Sequence, residues 1–181
     1  MQLLAFIPLL ILFAAIPIGF KYWRKRMALK TFEPLAAGAQ PKVDIELENG
    51  SHIKLALFPE DAPNHCAALV DLIKKGYYDG LSFHRVVPGF VVQGGCPKGN
   101  GSGGPGYTIK AEFNAKPHIT GTLAMARTPD PDSAGSQFYI CLAPQPGLDG
   151  QYTVFGQTLE GMDEVKKIRQ GDKMVKVTVE L

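Results

Sequence analysis

Between residues 43 and 57 the chain alternates with period two on both sides of an Asn-Gly pair, and no other feature limits its fold so tightly. Val43, Ile45 and Leu47 alternate with Asp44, Glu46 and Glu48; Asn49-Gly50 follows; then Ile53, Leu55 and Leu57 alternate again. Asn-Gly between two such runs predicts a β-hairpin with one apolar face, and so an antiparallel sheet. An amphipathic helix is predicted from about 62 to 75. Asp61 is its expected cap, Pro63 sits in its first turn, and Cys66, Leu69, Val70 and Ile73 share one face. Strand-like runs recur at 82–87, 90–93, 122–126, 137–142 and 153–158. A second short helix fits 161–169, and Val175, Val177, Val179 and Leu181 form a closing strand. Gly and Pro together make up 34 of 181 residues, which suits many turns and short elements. Eight or so short strands and two helices, without β-α-β alternation, predict a mainly β fold whose antiparallel sheet closes into a barrel. The bulky Val, Ile, Leu and Phe alternation predicts a filled interior, against a carrier with its ligand inside.

The amino-terminal part is different in kind. Residues 3–20 are all apolar, Gly or Pro. As a helix they span roughly 27 Å, about the hydrocarbon thickness of a bilayer. Tyr22 and Trp23 suit the headgroup region, and Arg24-Lys25-Arg26 follows. Residues 1–26 are therefore expected to form one hydrophobic helix that anchors the chain, with the basic flank placing the carboxy-terminal domain in the cytoplasm. The rival is a cleaved export signal with Ala37-Gly38-Ala39 as a processing site, but positive charge should precede the apolar run of a signal peptide. Residues 27–41 read as a tether and 42–181 as the globular domain. Of the 19 basic residues, five fall within 21–30; the remaining 14 face all 17 acidic ones, a net of −3. A folded part with that balance and no basic cluster excludes a nucleic-acid partner. Cys66, Cys96 and Cys141 are too few, and odd in number, for a disulfide framework, which leaves three thiols or one disulfide and one thiol.

Most familiar chemistry is absent. Gly-Asn-Gly-Ser-Gly-Gly at 99–104 lacks the Gly-Lys-Ser/Thr ending of a phosphate loop and reads as a flexible surface loop. His52, His65, His84 and His118 show no metal-ligand spacing, and Ser136 lies in no nucleophile elbow. Asp130, Asp132 and Asp149 read as turn residues, His84 as structural. Neither metal nor cofactor is expected.

Two stretches remain. Phe83-His84-Arg85-Val86-Val87-Pro88-Gly89-Phe90-Val91-Val92-Gln93-Gly94-Gly95 resembles the signature of the cyclophilin family of peptidyl-prolyl cis-trans isomerases. Gly121-Thr122-Leu123-Ala124-Met125-Ala126 with Ser136-Gln137-Phe138-Tyr139-Ile140 resembles the family's second motif, and 148–156 its third. The resemblance runs from about 43 to 181. It implies an eight-stranded antiparallel closed β-barrel capped by two α-helices, with a proline groove on its outer face. It also implies that Arg85 is the catalytic arginine and Gln93 the substrate-positioning glutamine. Phe90, Val91, Tyr139 and Leu148 would line the proline pocket, Ala126 and Arg127 would offer backbone groups, Gln137 would bind substrate, and Tyr152 would stand at the rim. The implied activity is rotation about X-Pro bonds in unfolded or flexible protein segments, with no cofactor. The alternative is a proline-peptide binding module or holdase with incidental turnover, which would have no need of Arg85. The family commonly has Met at Val91, Phe at Tyr139, Trp at Gly147, His at Tyr152 and Asn at Arg127. Without the Trp, cyclosporin binding is expected to be weakened.

Overall fold

The computed structural model describes residues 27–181. Eight strands are present: β1 (Lys42–Leu47), β2 (His52–Leu57), β3 (Arg85–Val87), β4 (Val91–Gly94), β5 (Thr122–Met125), β6 (Phe138–Cys141), β7 (Val154–Glu160) and β8 (Met174–Glu180). Helix α1 (Pro63–Lys74) follows β2, and α2 (Met162–Lys167) joins β7 to β8. The strands make one antiparallel sheet in the order β3-β4-β6-β5-β7-β2-β1-β8. The hairpin forms as its alternation requires: Val43 lies opposite Leu55 and Ile45 opposite Ile53. Gly50 takes the turn at φ 77°, a conformation that a side chain would resist.

The sheet curls but does not close. β3 and β8 are its edges and share no ladder; one isolated bridge, Ser82 to Lys173, lies between them. Backbone bonds such as Phe83 N–H to the Asp172 carbonyl, 2.8 Å, tack the edges together. The predicted strand 82–87 is divided in its pairing. Its first residues turn toward the approach to β8, and only 85–87 pair with β4. No strand therefore pairs on both sides across the seam, and the expected closed barrel is an open half-barrel.

Inside the curl, Ile45, Ile53, Leu55, Leu123, Ile140, Phe155 and Met174 are at most 1% exposed. Helix α1 covers them with Cys66, Leu69, Val70 and Ile73. The void left inside measures about 10 Å³, room for about one water and no carried ligand.

Helix α1 is not capped by Asp61. Ala62 is the N-cap, without a side-chain bond. The carboxylate of Glu112 instead accepts the N–H groups of Asn64 at 3.0 Å and His65 at 2.9 Å, two donors that every helix start leaves unpaired. Cys66, Cys96 and Cys141 are all free and buried.

The expected amino-terminal helix, residues 1–26, lies outside the described residues. Among those described, no helix is long and apolar enough to cross a membrane. Part of the segment 27–41 is laid along the domain. Lys30 N–H bonds the Thr108 carbonyl at 2.8 Å and Thr108 N–H the Ala28 carbonyl at 3.1 Å.

Candidate active site

Strand periodicity gives the sheet a second apolar face. Val92, Leu123 and Ile140 point into the core, so their neighbours Val91, Gln93, Ala124, Tyr139 and Cys141 point outward. Register then aligns one row across the strands: Arg85 opposite Gln93, Gln93 opposite Tyr139, and Tyr139 opposite Ala124. Val91, Ala124, Tyr139, Cys141 and Val154 form an outer cluster, against which Phe90, Ala126, Leu148 and Tyr152 pack. Loops arching over a sheet face leave a groove there. It holds about 220 Å³ and is lined by Arg85, Phe90, Val91, Gln93, Ala126, Arg127, Tyr139, Leu148 and Tyr152. Gln137 borders a second, adjoining groove of about 420 Å³ that shares Gln93, Ala126 and Arg127 with the first.

A line of polar side chains connects the two. Arg85 Nη1 donates to Gln93 Oε1 at 3.4 Å, and Gln93 Nε2 to Gln137 Oε1 at 3.1 Å. Gln137 Nε2 ends the line on the Gly101 and Gly103 carbonyls, each at 2.8 Å. The Gln93 amide is thus held with its oxygen toward the guanidinium. The Arg85 guanidinium itself stays exposed, 5.8 Å from the Phe90 ring centre. The loop at 99–104, expected to be flexible, is pinned: besides the Gln137 bonds, Gly103 N–H donates to Cys96 Sγ at 3.3 Å.

Ala126 and Arg127 were expected to contribute backbone groups. The Ala126 N–H is engaged by the Gln137 carbonyl at 2.9 Å, which leaves its carbonyl. The Arg127 side chain folds back: Nη2 donates to the Gln151 carbonyl at 2.8 Å and the guanidinium lies 4.5 Å from the Tyr152 ring centre. It braces the rim residue.

Sequence reasoning missed two residues at the groove's base. His118 is buried, with its Nε2 3.0 Å from the Tyr139 hydroxyl, and its Nδ1 is 2.8 Å from Asp149 Oδ1. Asp149 is thus more than a turn residue. Similarly, Asp132 accepts the Ala111 N–H at 3.0 Å. His84 is half-buried and packs near Gly101.

A family model described as cyclophilin type peptidyl-prolyl cis-trans isomerase/CLD matches residues 42–180. The chain is similar to the peptidyl-prolyl cis-trans isomerase of Synechococcus elongatus, 51% identical over 137 residues, covering 75% of this chain and 93% of the relative. It is also similar to peptidyl-prolyl cis-trans isomerase B of Bacillus subtilis, 51% identical over 136 residues, with 74% and 94% covered. Among solved structures, the fold resembles a cyclophilin type peptidyl-prolyl cis-trans isomerase of Cryptosporidium parvum crystallised in the presence of the dipeptide Ala-Pro. That match has a TM-score of 0.71 at 27% identity and covers 77% of this chain and 99% of the other.

Proposed function

Because the chain belongs to the cyclophilin family and is a peptidyl-prolyl cis-trans isomerase, we propose that the outer groove is where the X-Pro bond turns and that Arg85 is the residue that speeds it. Amide resonance sets the barrier to rotation at about 18–20 kcal/mol. No covalent bond breaks, so the protein need only favour the twisted amide over the planar one. As the bond twists, the prolyl nitrogen regains its lone pair and becomes an acceptor. Arg85 presents a permanently charged, fixed set of donors at the edge of a groove of about 220 Å³ whose lining includes Phe90, Val91, Tyr139 and Leu148. The proline ring seats on Phe90, Val91, Tyr139 and Leu148, Tyr152 closes the rim, and Gln93 with the Ala126 carbonyl holds the peptide while its far side rotates. The observation that carries this reading is the register itself: Arg85 directly opposite Gln93, both on the lip of the groove. The Ala-Pro dipeptide of the solved relative supports short X-Pro peptides as substrates here.

The deciding experiment replaces Arg85 with Ala and compares peptide isomerisation, peptide affinity and Tm with the parent. Loss of one preorganised donor costs on the order of 10²–10³ in rate where full charge develops. A neutral lone pair demands less, so a loss of roughly 10–10²-fold in kcat/KM is expected, with affinity and Tm close to parental. Arg85→Lys should recover only part, since a point charge lacks the planar fork. Isomerisation by Arg85→Ala at the parental rate removes Arg85 from the mechanism.

The same reading includes a single membrane span at residues 1–26 with the domain on the cytoplasmic side. The apolar run 3–20 and the basic flank support it. Protease accessibility of a tag placed after Leu181 on intact cells tests it: cleavage from outside would reverse the orientation.

A further inference from the structure

The base of the groove carries a buried polar chain that the reaction above does not use. His118 is 1% exposed and does not line the groove. One carboxylate oxygen of Asp149 accepts the His118 backbone N–H at 2.7 Å and lies 2.8 Å from Nδ1 of the same residue. The backbone N–H, and after it the ring, hold the Asp149 carboxyl below the usual carboxylate range, so it only accepts. An imidazole with a single N–H carries it on Nδ1, facing this carboxylate, and Nε2 then keeps a lone pair. Burial pushes the Tyr139 phenol far above its ordinary range, so it keeps its proton. Its O–H donates to Nε2 across 3.0 Å. The rings lock one another. His118 and Tyr139 stack at 6.1 Å and 16°, and Tyr152 meets Tyr139 edge-on at 5.8 Å and 82° and His118 at 6.5 Å and 83°.

Of the four residues on which the proline ring seats, Phe90, Val91, Tyr139 and Leu148, Tyr139 alone brings a hydroxyl. If that hydroxyl lost its partner it would either remain buried and unpaired or swing toward the place where the proline ring packs. The geometry points to His118, oriented by Asp149, as a positioning residue for X-Pro isomerisation: it draws the Tyr139 hydroxyl away from the groove and fixes the ring that forms the floor. This rests on the reading that proline occupies this groove.

The test uses the full chain and separates KM from kcat. The floor touches planar and twisted amides alike, so its disturbance should appear in KM. His118→Phe leaves the hydroxyl without a partner and should raise KM for a proline peptide on the order of tenfold, with kcat within about twofold. His118→Gln offers an amide oxygen near the position of Nε2 and should restore most of the affinity. Pairing His118→Phe with Tyr139→Phe removes hydroxyl and partner together and should bring KM back to within about threefold of the parent. If His118 only fills space, Phe and Gln behave alike and the double variant is no better than the single; that result overturns the proposal. Should His118→Phe fail to fold, the unaltered protein decides: its ¹⁵N imidazole resonances should show the Nδ1–H tautomer and shift when an Ala-Pro peptide is titrated in. Resonances indifferent to the peptide also overturn it. Arg85→Ala, measured alongside, distinguishes the failures. Its slow turnover with a KM unmoved in the His118 variants discards only the positioning role, whereas parental turnover removes Arg85 from the mechanism and with it the reading on which this proposal rests.

Discussion

Gln137 shows how a residue can matter to a groove that it does not line. Its amide joins the one that faces Arg85 to the carbonyls of Gly101 and Gly103, so a single side chain sets both the Gln93 orientation and the loop of the adjoining groove. Gln137→Leu should therefore lower kcat/KM on the order of tenfold, because a misplaced holding group costs orientation as well as one bond. Tm should stay within a few degrees, since Gln137 is only half-buried. A peptide assay with parental kcat/KM would show that Gln93 orients itself. Gly147 gives the opposite case. A side chain there meets nothing within 4 Å, so Gly147→Trp should fold as the parent does and add an apolar face with an N–H beside Leu148. Calorimetric titration with cyclosporin should show tighter binding; unchanged affinity would mean that the loop presents the indole elsewhere. What could be read from sequence at this scale followed motif and register: Arg85, Gln93 and Tyr139 fall in one row across their strands, and Phe90, in the turn before β4, lines the same groove. His118 and Asp149 could not be read, because 31 residues separate them and neither has local spacing to mark it.

Elements were legible where their signal is local and not where a distant residue completes them. The hairpin 43–57 needed only alternation and Asn-Gly. The seam of the sheet depends on which neighbour residues 81–87 choose, and no local pattern encodes that choice, so closure was expected and an open edge is found. Helix α1 makes the same point energetically. Its cap comes from Glu112, 48 residues from Asn64. Burial alone would raise the Glu112 carboxyl, but the His65 side chain at 2.6 Å and the N–H groups of Asn64 and His65 outweigh it, and the carboxyl is held below its ordinary 4.5. A carboxyl lowered in the folded state contributes stability above its unfolded value. That contribution disappears as pH falls through the lower folded value. Glu112→Gln should cost about 1 kcal/mol at neutral pH, as a lost cap does, or roughly 2–4 °C in Tm. The difference from the parent should narrow as pH is taken from above 4.5 downward. Calorimetry of both proteins across that range checks it; a constant difference would mean that Glu112 acts through packing and not through its charge.

On the scale of the whole molecule, the question is where the folded unit begins. Composition suggests a spacer before the first strand, with Pro34, Pro41 and Ala-Ala-Gly-Ala between them. Yet Phe32 and Leu35 pack against the core cluster. Asn64 accepts the Phe32 N–H at 2.7 Å and donates to the Lys30 carbonyl at 3.2 Å, and the Phe32 ring lies 5.5 Å from that of Tyr107. Lys30 adds its ammonium over both rings, at 4.2 and 4.7 Å. A side chain can choose this contact only once the loop at 105–109 has folded, which is why linker composition does not disclose it. Partial burial of one aromatic and one aliphatic side chain is worth about 2 kcal/mol. A fragment starting at Met27 should therefore melt roughly 4–8 °C above one starting at Ala39. Both should isomerise proline peptides at rates within about twofold, because every residue lining the 220 Å³ groove lies at or beyond Arg85. Met27 reaches only the adjoining groove, so any difference between the fragments should appear with longer peptides and not with a dipeptide-sized substrate. Equal melting points would mean that residues 27–38 touch the domain without stabilising it, and the folded unit would then begin at the first strand.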